Sequence, residues 1–589
     1  MVARPGWGPR PAIADLGAER LEPRMAMDTR DDPDRPDPSA RRLAWGGAAA
    51  ALFVAVLASL ALQPGVVGLF HDDGIYVSVA RGLAEGHGYR LVGLPGDPWQ
   101  TKYPFLYPGA LAAIWKLWPD FPANLLVMKL LGVAALSASV WLATRWYGRR
   151  FGRDGFGVVF GLMVGAGATV LPYANFTLTE LPFLAACLLA FAIADPVTPV
   201  GEAPRTPDRR LAIGLGLVVG AALLLRMAAA PLALGGLALF LRGRRARPLV
   251  WYAGVVGAFV LPWLAFKTMA PDAPGNPLLA YYTEYEPSVV ELALRDGPGD
   301  ALGIVADNLW YVGWALDQAL LLPLAPWLRI PVYPLVLLGL ARAARRPIGL
   351  AHGFVVLYLA LIVSWPFHPA RYALPLLPLM PLGLVLGVRE LWRIINRSPR
   401  VADRRSTLRT LAIAPLILVL LLFTGWNLAF QNRSSGNLRF WAWGEMRYGW
   451  DGFEETFAWI RDHTPPDAVL GTAYDPMYHL YTDRDAVRPW FHRPWTYFYP
   501  REGAVARLGP PEDVQAALEE LGVDYLVIDP LGGYAEEDGA ADLFEALLEA
   551  YDGPEFPAAP VLRFVSSDSL HRVYELPRRS PETSPPGGS

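Results

Sequence analysis

Up to about residue 430, apolar residues in this chain fall mostly in long blocks. Continuous apolar runs occupy 44–63, 123–146, 156–174, 180–195, 211–225, 228–241, 249–268, 328–343, 349–366, 372–390 and 410–429. A helix crossing a bilayer needs roughly 20 such residues at about 1.5 Å of rise each. The pattern therefore predicts a mainly α, polytopic membrane protein with about 11 transmembrane helices. The two runs flanking Arg226 are short and read equally as two spans or as one bent hairpin. Residues 1–42, rich in Pro, Arg and Asp and without an apolar period, are expected to be a disordered cytoplasmic N-terminus. They do not read as a secretory signal, because the first apolar run comes late and no small-residue cleavage site follows it. Met25 and Met27 are equally suited to open the chain.

Arginine placement orients the spans. The connections holding Arg145, Arg149, Arg150 and Arg153; Arg205, Arg209 and Arg210; Arg242, Arg244, Arg245 and Arg247; Arg342, Arg345 and Arg346; and Arg393 to Arg409 are all basic. They alternate with connections carrying Asp72, Asp73, Asp97, Glu180, Glu284, Glu286, Asp296 and Asp300. Positive residues stay in the cytoplasm. The acidic loops and everything after residue 430 are then expected outside the cytoplasmic membrane. The apolar stretches 104–118 and 303–325 would break the alternation if they crossed. Rich in Trp and Tyr, they read as helices lying along the outer membrane surface.

Past residue 430 the pattern changes. Short β-branched and aromatic runs at 468–473, 486–491, 524–529, 561–567 and 571–576 read as strands. Amphipathic stretches at 452–463 and 511–521 read as helices, the second opened by Pro510–Pro511 with Glu512 and Asp513 in its first turn. The expected organisation is a transmembrane unit over 43–430, an extracytoplasmic α/β domain over 431–577 and a disordered tail over 578–589.

Composition removes alternatives. With 53 % hydrophobic and 18 % charged residues, the 589-residue chain is not a soluble enzyme, and a net charge of −3 gives no reason to expect nucleic acid. Cys187 is the single cysteine, so no internal disulfide or Cys-rich metal site is available. Only four of the basic residues are lysines (Lys102, Lys116, Lys129 and Lys267).

Candidate chemistry gathers on the outer face. Asp72 and Asp73 follow the first span at the start of a short helix, with Tyr76, Ala80 and Leu83 recurring at helical spacing. The ordinary reading of such a pair is an acidic helix start. Further along, Lys102 lies in TKYPFLYP, Glu180 in TLTELPF, and His368, Arg371 and Tyr372 in WPFHPARYALPLLP. All sit at outer span ends, where ionisable groups are costly and mark function when they can pair. Arg226, between two apolar runs, reads either as a member of this group or as a snorkelling turn residue. The triplets at Asn175 and Asn432 match a glycosylation acceptor and carry no weight.

Asp72–Asp73 followed by Tyr76, the Lys102-Tyr103-Pro104-Phe105-Leu106-Tyr107-Pro108 segment, Thr179–Glu180, and Arg371-Tyr372-Ala373-Leu374-Pro375 stand in one order along 44–430. This order resembles the GT-C type of membrane glycosyltransferase, particularly the bacterial relatives of protein O-mannosyltransferases and of lipid A aminoarabinose transferases. Phe105 departs from the pattern, where relatives often carry a second proline. The resemblance implies a lipid-borne donor, a polyprenyl-phosphate sugar, in the bacterial cytoplasmic membrane. It also implies transfer to a hydroxyl on a glycan, lipid or protein acceptor.

Such a transfer needs a carboxylate to take the acceptor proton and cations to hold the departing phosphate. Asp72 or Asp73 is the candidate base, with single-displacement inversion. Lys102, Arg371 and Arg226 are candidates for the phosphate; Tyr76, Tyr103, Glu180, His368 and Tyr372 for the acceptor or for positioning. His71, His87 and His368 leave open a divalent metal held with the aspartates (Asp72, Asp73 and His71), but no ligand spacing supports it and the scheme requires none. A lipid or glycan transporter would instead place charges at mid-span and show an internal repeat; a non-catalytic, membrane-anchored glycan-binding protein would not need the charged set. Within catalysis, the alternative is an oligosaccharide ligase or polymerase with a diphosphate-linked donor.

Overall fold

The computed structural model of the chain describes residues 38–60, 62–151, 154–167, 170–194, 207–242, 246–271, 275–283, 289–320, 329–344, 350–365, 369, 371–395, 450–491, 509–530, 540–554 and 556–578. The N-terminal segment 1–37, Glu284, Glu286, His368, the apolar run 410–429 and the tail 579–589 lie outside the described residues.

Up to residue 395 the described residues are mainly helical. Helix α1 (Pro38–Leu60) leads into a loop carrying α2 (Asp72–Glu85) and α3 (Leu106–Leu117). Helices α4 (Leu125–Phe151), α5 (Asp154–Gly165), α6 (Glu180–Ala194), α7 (Arg209–Leu225), α8 (Ala230–Arg242) and α9 (Ala246–Met269) follow. After α10 (Pro277–Thr283), α11 (Val289–Asp296) and α12 (Pro298–Leu320) come α13 (Arg329–Ala344), α14 (Leu350–Val363) and α15 (Leu379–Ile395). Among the described residues, Arg41–Leu60, Leu125–Phe151 and Ala246–Met269 are long and apolar enough to cross a membrane. Shorter apolar helices cover 155–165, 180–194, 227–241, 332–342 and 350–363.

Two predicted runs are interrupted and contain a 3-10 turn. The run 156–174 ends as a helix at Gly165 and resumes as a 3-10 turn, Leu171–Asn175, with Pro172 near its start. The run 372–390 opens as a 3-10 turn, Arg371–Leu376, containing Pro375, and becomes α15 only at Leu379. Pro375 lacks the N–H that a continuing α-helix needs, whereas Pro262 of α9 and Pro334 of α13 lie inside helices that continue. The runs around Arg226 are two helices, with Arg226 itself in extended conformation at the end of α7. The stretch 104–118 is helical over α3 and residues 303–320 lie in α12, while 321–325 lie outside the described residues.

Where helices lie closest, glycine permits it. A Cβ on Gly387 of α15 would collide with the Leu335 carbonyl of α13, and one on Gly339 of α13 would collide with the Gly383 carbonyl of α15. In lipid, where apolar side chains gain little by leaving the solvent, such close backbone packing supplies much of the association.

The C-terminal part is a five-stranded sheet with helices. The strands are β1 (Val469–Thr472), β2 (Asp485–Val487), β3 (Val523–Ile528), β4 (Val561–Val565) and β5 (Arg572–Glu575), and the order is β2-β1-β3-β5-β4. β1 pairs parallel with β2 and β3; β5 pairs antiparallel with β3 and β4. Each strand falls within or beside a predicted run. The helices are α16 (Trp450–His463), α17 (Asp475–Thr482), α18 (Pro511–Glu520) and α19 (Ala540–Tyr551). α16 and α18 match the amphipathic stretches. α17, seven of whose eight residues are buried, falls outside the predicted runs.

One apolar core runs through the helical part, uniting residues such as Val54, Leu136, Leu184 and Leu377. A second joins Phe453, Phe457, Leu470, Leu526 and Val573 of the sheet region to Ile75, Val79 and Tyr89 of the first loop. The sheet is thus packed onto the loop that carries the aspartate pair.

Gly387→Ala should destabilise the detergent-solubilised protein by about 1–3 kcal/mol, because a new methyl must part α13 from α15. Gly254→Ala in α9, whose Cβ would meet no atom within 4 Å, should not. Thermal unfolding of both variants checks the difference; equal melting temperatures would count against the close contact.

Candidate functional site

The site is built on residues 62–74, the passage from α1 to α2. Its start is fixed from below: Gln63 N–H donates to Asn175 Oδ1 at 2.8 Å, and Lys129 Nζ of α4 donates to the Gln63 carbonyl at 2.5 Å. The chain then turns at Gly68, which has φ +94° and lies so close to Met477 of α17 that no side chain fits. His71 follows with φ +58°, a conformation that non-glycine residues rarely hold.

The two aspartates differ in what they touch. Asp73 turns its carboxylate back into the loop. Oδ2 accepts from Gly68 N–H at 3.1 Å, and Oδ1 accepts from Phe70 N–H and Gly74 N–H, both at 3.0 Å. The Thr177 hydroxyl donates to the Asp73 carbonyl at 3.0 Å, tying the loop to the entrance of α6. Burial pushes the Asp73 carboxyl up to about 6, against the three amides and the charge of Lys129, which pull it down.

Asp72 faces the other way, into a cluster of charges. Arg371 Nη2 donates to its Oδ2 at 2.5 Å and Tyr103 Oη to its Oδ1 at 2.6 Å. Burial acts upward on this carboxyl too, but the Arg371 charge and the Tyr103 and Arg371 hydrogen bonds outweigh it and hold the group at about 2.

The pairing continues beyond Arg371. Its Nε lies 3.7 Å from Glu180 Oε1, and the same oxygen is 2.6 Å from Arg226 Nη1. Asp72, Arg371, Glu180 and Arg226 form an alternating chain of two carboxylates and two guanidiniums. Aromatic rings wall it. Both guanidiniums lie 4.9 Å from the centre of the Tyr372 ring, and Arg371 lies 5.1 Å from that of Phe70. Tyr372 Oη accepts from Arg371 Nη2 at 2.9 Å. Tyr76 packs edge-on to Tyr103 at 5.1 Å and to Tyr107 at 5.5 Å.

Of the residues singled out by sequence, Asp72, Tyr76, Tyr103, Glu180, Arg226, Arg371 and Tyr372 stand together here. Lys102 is one residue from Tyr103 but reaches elsewhere: its Nζ donates to the Tyr281 carbonyl at 2.9 Å and lies 4.1 Å from that ring. The cause is local. Gln100 Oε1 accepts from both Lys102 N–H and Tyr103 N–H, forming a turn from which the two side chains diverge. His368 lies outside the described residues.

The three side chains weighed as metal ligands (Asp72, Asp73 and His71) face in three directions. His71 Nε2 pairs with Asp475 Oδ1 of α17 at 2.9 Å, and its ring lies 5.4 Å from that of Tyr281 and 5.8 Å from that of Tyr282. Burial and the nearby Arg488 charge hold His71 below the usual histidine range. Among the described residues, no three His, Cys, Asp or Glu side chains gather as a metal site would require.

Sequence reasoning passed over Lys129, Thr177, Asp475 and Arg488. Lys129 left a signal, a lysine inside an apolar run of a chain with only four lysines. Asp475, before a proline and between two predicted strands, left only a helix-start signal.

No protein-family model and no curated protein matches the chain. Among solved structures it is similar to ArnT from Cupriavidus metallidurans bound to undecaprenyl phosphate. That match has 14 % identity and a TM-score of 0.48, over 90 % of this chain and 97 % of that one. It is also similar to the archaeal oligosaccharyltransferase AglB from Archaeoglobus fulgidus in complex with an inhibitory peptide and a dolichol-phosphate. There the identity is 12 % and the TM-score 0.47, over 92 % of this chain and 75 % of that one. A third similarity is to the arabinofuranosyltransferase AftD from Mycobacteria, at 17 % identity and a TM-score of 0.45, over 92 % of this chain and 42 % of that one.

Proposed function

We propose that this chain is a GT-C type membrane glycosyltransferase. It moves a sugar from a polyprenyl-phosphate donor to a hydroxyl acceptor on the outer face of a bacterial cytoplasmic membrane. The observation that carries the reading is the buried pairing of Asp72 with Arg371 and Tyr103, continued through Glu180 to Arg226. A base and two phosphate-binding cations within one cluster are what the reaction needs. The proposed frame is a helical unit over 43–430 with about eleven spans, a cytoplasmic N-terminus and an outer α/β domain over 431–577.

In the proposed reaction the acceptor hydroxyl attacks the anomeric carbon while the bond from that carbon to the phosphate oxygen breaks. The hydroxyl proton passes to Asp72, the polyprenyl phosphate leaves with the bonding electron pair, and the configuration inverts. Asp72 is assigned as the base over Asp73, because Asp73 spends both oxygens on backbone amides. Arg371 suits the phosphate by its planar fork, and Arg226 is the second cation. Lys102, turned toward Tyr281, is left out of this cation pair. Glu180 orients both arginines. Because protein cations already match the charge of the leaving phosphate, the scheme takes no step through a metal.

Asp72→Asn should lower transfer from polyprenyl-phosphate sugars in membranes by at least about 10²-fold while expression is retained. Asp73→Asn should act mainly on stability. An amide nitrogen replacing one carboxylate oxygen must face a backbone N–H in that loop, at a cost of about 1–3 kcal/mol. Transfer assays with melting curves separate the two, and full activity in Asp72→Asn would sink the base assignment.

Arg371→Ala should weaken donor use and also shift the pH profile. In the unaltered protein the Asp72 carboxyl sits at about 2, so the acidic limb of kcat/KM should lie below about pH 4. Removing Arg371 deletes the strongest downward influence and leaves burial, so the limb should rise past the ordinary carboxylate value of about 4. A limb that stays put would show that Asp72 is not the group being titrated.

A further inference from the structure

The three consecutive side chains 71–73 divide their tasks. Asp73 fastens the loop to itself and to the entrance of α6, through backbone amides and Thr177. Asp72 looks into the charged cluster. His71 looks outward, to a partner 404 residues later in the chain, Asp475 at the start of α17.

His71 holds this position at φ +58°. For a residue with a Cβ, such a conformation is strained and persists only when the surroundings dictate it. A turn needing only that backbone angle is more cheaply made with glycine. The strain is offset by what the ring reaches. Nε2 meets the Asp475 carboxylate, and two tyrosine rings, Tyr281 and Tyr282, lie against the imidazole. Asp475 is itself fixed: it is 1 % exposed, and its Oδ1 lies 3.8 Å from Arg488 Nε.

The rest of α17 is locked to the same loop. Tyr481 Oη donates to the Gly65 carbonyl at 2.5 Å, and Ala486 N–H, just after the helix, donates to the Gly93 carbonyl at 2.8 Å. Arg81 Nη1 of α2 pairs with Asp483 at 2.6 Å. Pro476 and Met477 lie so close to Gly74 and Gly68 that neither glycine has room for a side chain.

We propose that Asp475 is a positioning residue of the transfer reaction: through His71 it fixes the backbone from which Asp72 projects, making the sheet-bearing C-terminal part a component of the active site. The inference rests on the reading of Asp72 as the base. A base must be held to a fraction of an ångström against the hydroxyl it deprotonates, and displacement by about 1 Å costs on the order of 10²-fold in rate.

The test uses the full-length chain in membranes or detergent, with a polyprenyl-phosphate sugar as donor. Asp475→Ala should lower kcat on the order of 10–100-fold and leave the donor KM within about twofold, since Arg371 and Arg226 are untouched. Asp475→Asn keeps an oxygen to accept from His71 Nε2–H and should recover most of the lost rate. His71→Gly keeps the φ +58° backbone without the ring and should match Asp475→Ala. The double variant should be no slower than either single one, because both remove the same tie. If Asp475→Ala does not fold, His71→Gly carries the comparison. An unchanged kcat in either folded variant, a loss confined to donor KM, or additive losses in the double variant would overturn the positioning role. Full activity in Asp72→Asn would overturn the base assignment instead, so the two failures are distinguishable.

Discussion

A carboxylate and a guanidinium that meet across 299 residues hold this site together. Asp72 is only 6 % exposed. Burying one charge without a partner costs several kcal/mol, so the first loop and the 371–376 turn must approach each other closely enough to pair. The same demand draws in α6, whose first residue is Glu180, and the α7–α8 junction, where the extended Arg226 interrupts the helices. Each helix end brings one charge, and none of the four charges is well placed without the next.

The apolar blocks were legible because solvent dictates them: a helix facing lipid must be apolar along its whole length, and that requirement shows in any window of sequence. The strands were legible for a related reason, since β3 and its neighbours need β-branched and aromatic residues where the sheet is covered. Breaks in the helices were harder to place. Pro172 and Pro375 sit inside apolar runs, and hydropathy alone does not say whether a proline kinks a helix or converts its first turn to 3-10 form.

The charged cluster was legible as a set of residue types at outer span ends, and Glu180, Arg226, Arg371 and Tyr372 do stand together. Residue type did not distinguish Asp72 from Asp73. They are chemically identical neighbours, and what separates them is the path of the backbone, which offers three amides to one and none of these to the other. Lys102 shows the same limit. Its motif is intact, yet the Gln100 turn sends the lysine toward Tyr281 and gives Asp72 to Tyr103. Asp475 was out of reach for a different reason, because its meaning depends on a histidine 404 residues earlier.

On the proposed reading, the resting pairing also explains how a poor base becomes an effective one. With Arg371 attached, the Asp72 carboxyl is held at about 2 and has little tendency to take a proton. A phosphate group entering the cluster competes for the same guanidinium. Arg371 is able to answer it without losing its place, because it contacts Asp72 through Nη2 and approaches Glu180 through Nε. Glu180 lies within reach of both guanidiniums, 2.6 Å from Arg226 Nη1 and 3.7 Å from Arg371 Nε. Once Nη2 turns to the phosphate, Asp72 keeps its burial and its bond to Tyr103, gives up its hydrogen bond to Arg371 and shares that guanidinium's charge with an anion. Desolvation then acts with less opposition, and the carboxylate becomes more basic as the leaving group becomes better matched. The donor would thus ready both ends of the displacement at once, and an empty site would keep its base occupied.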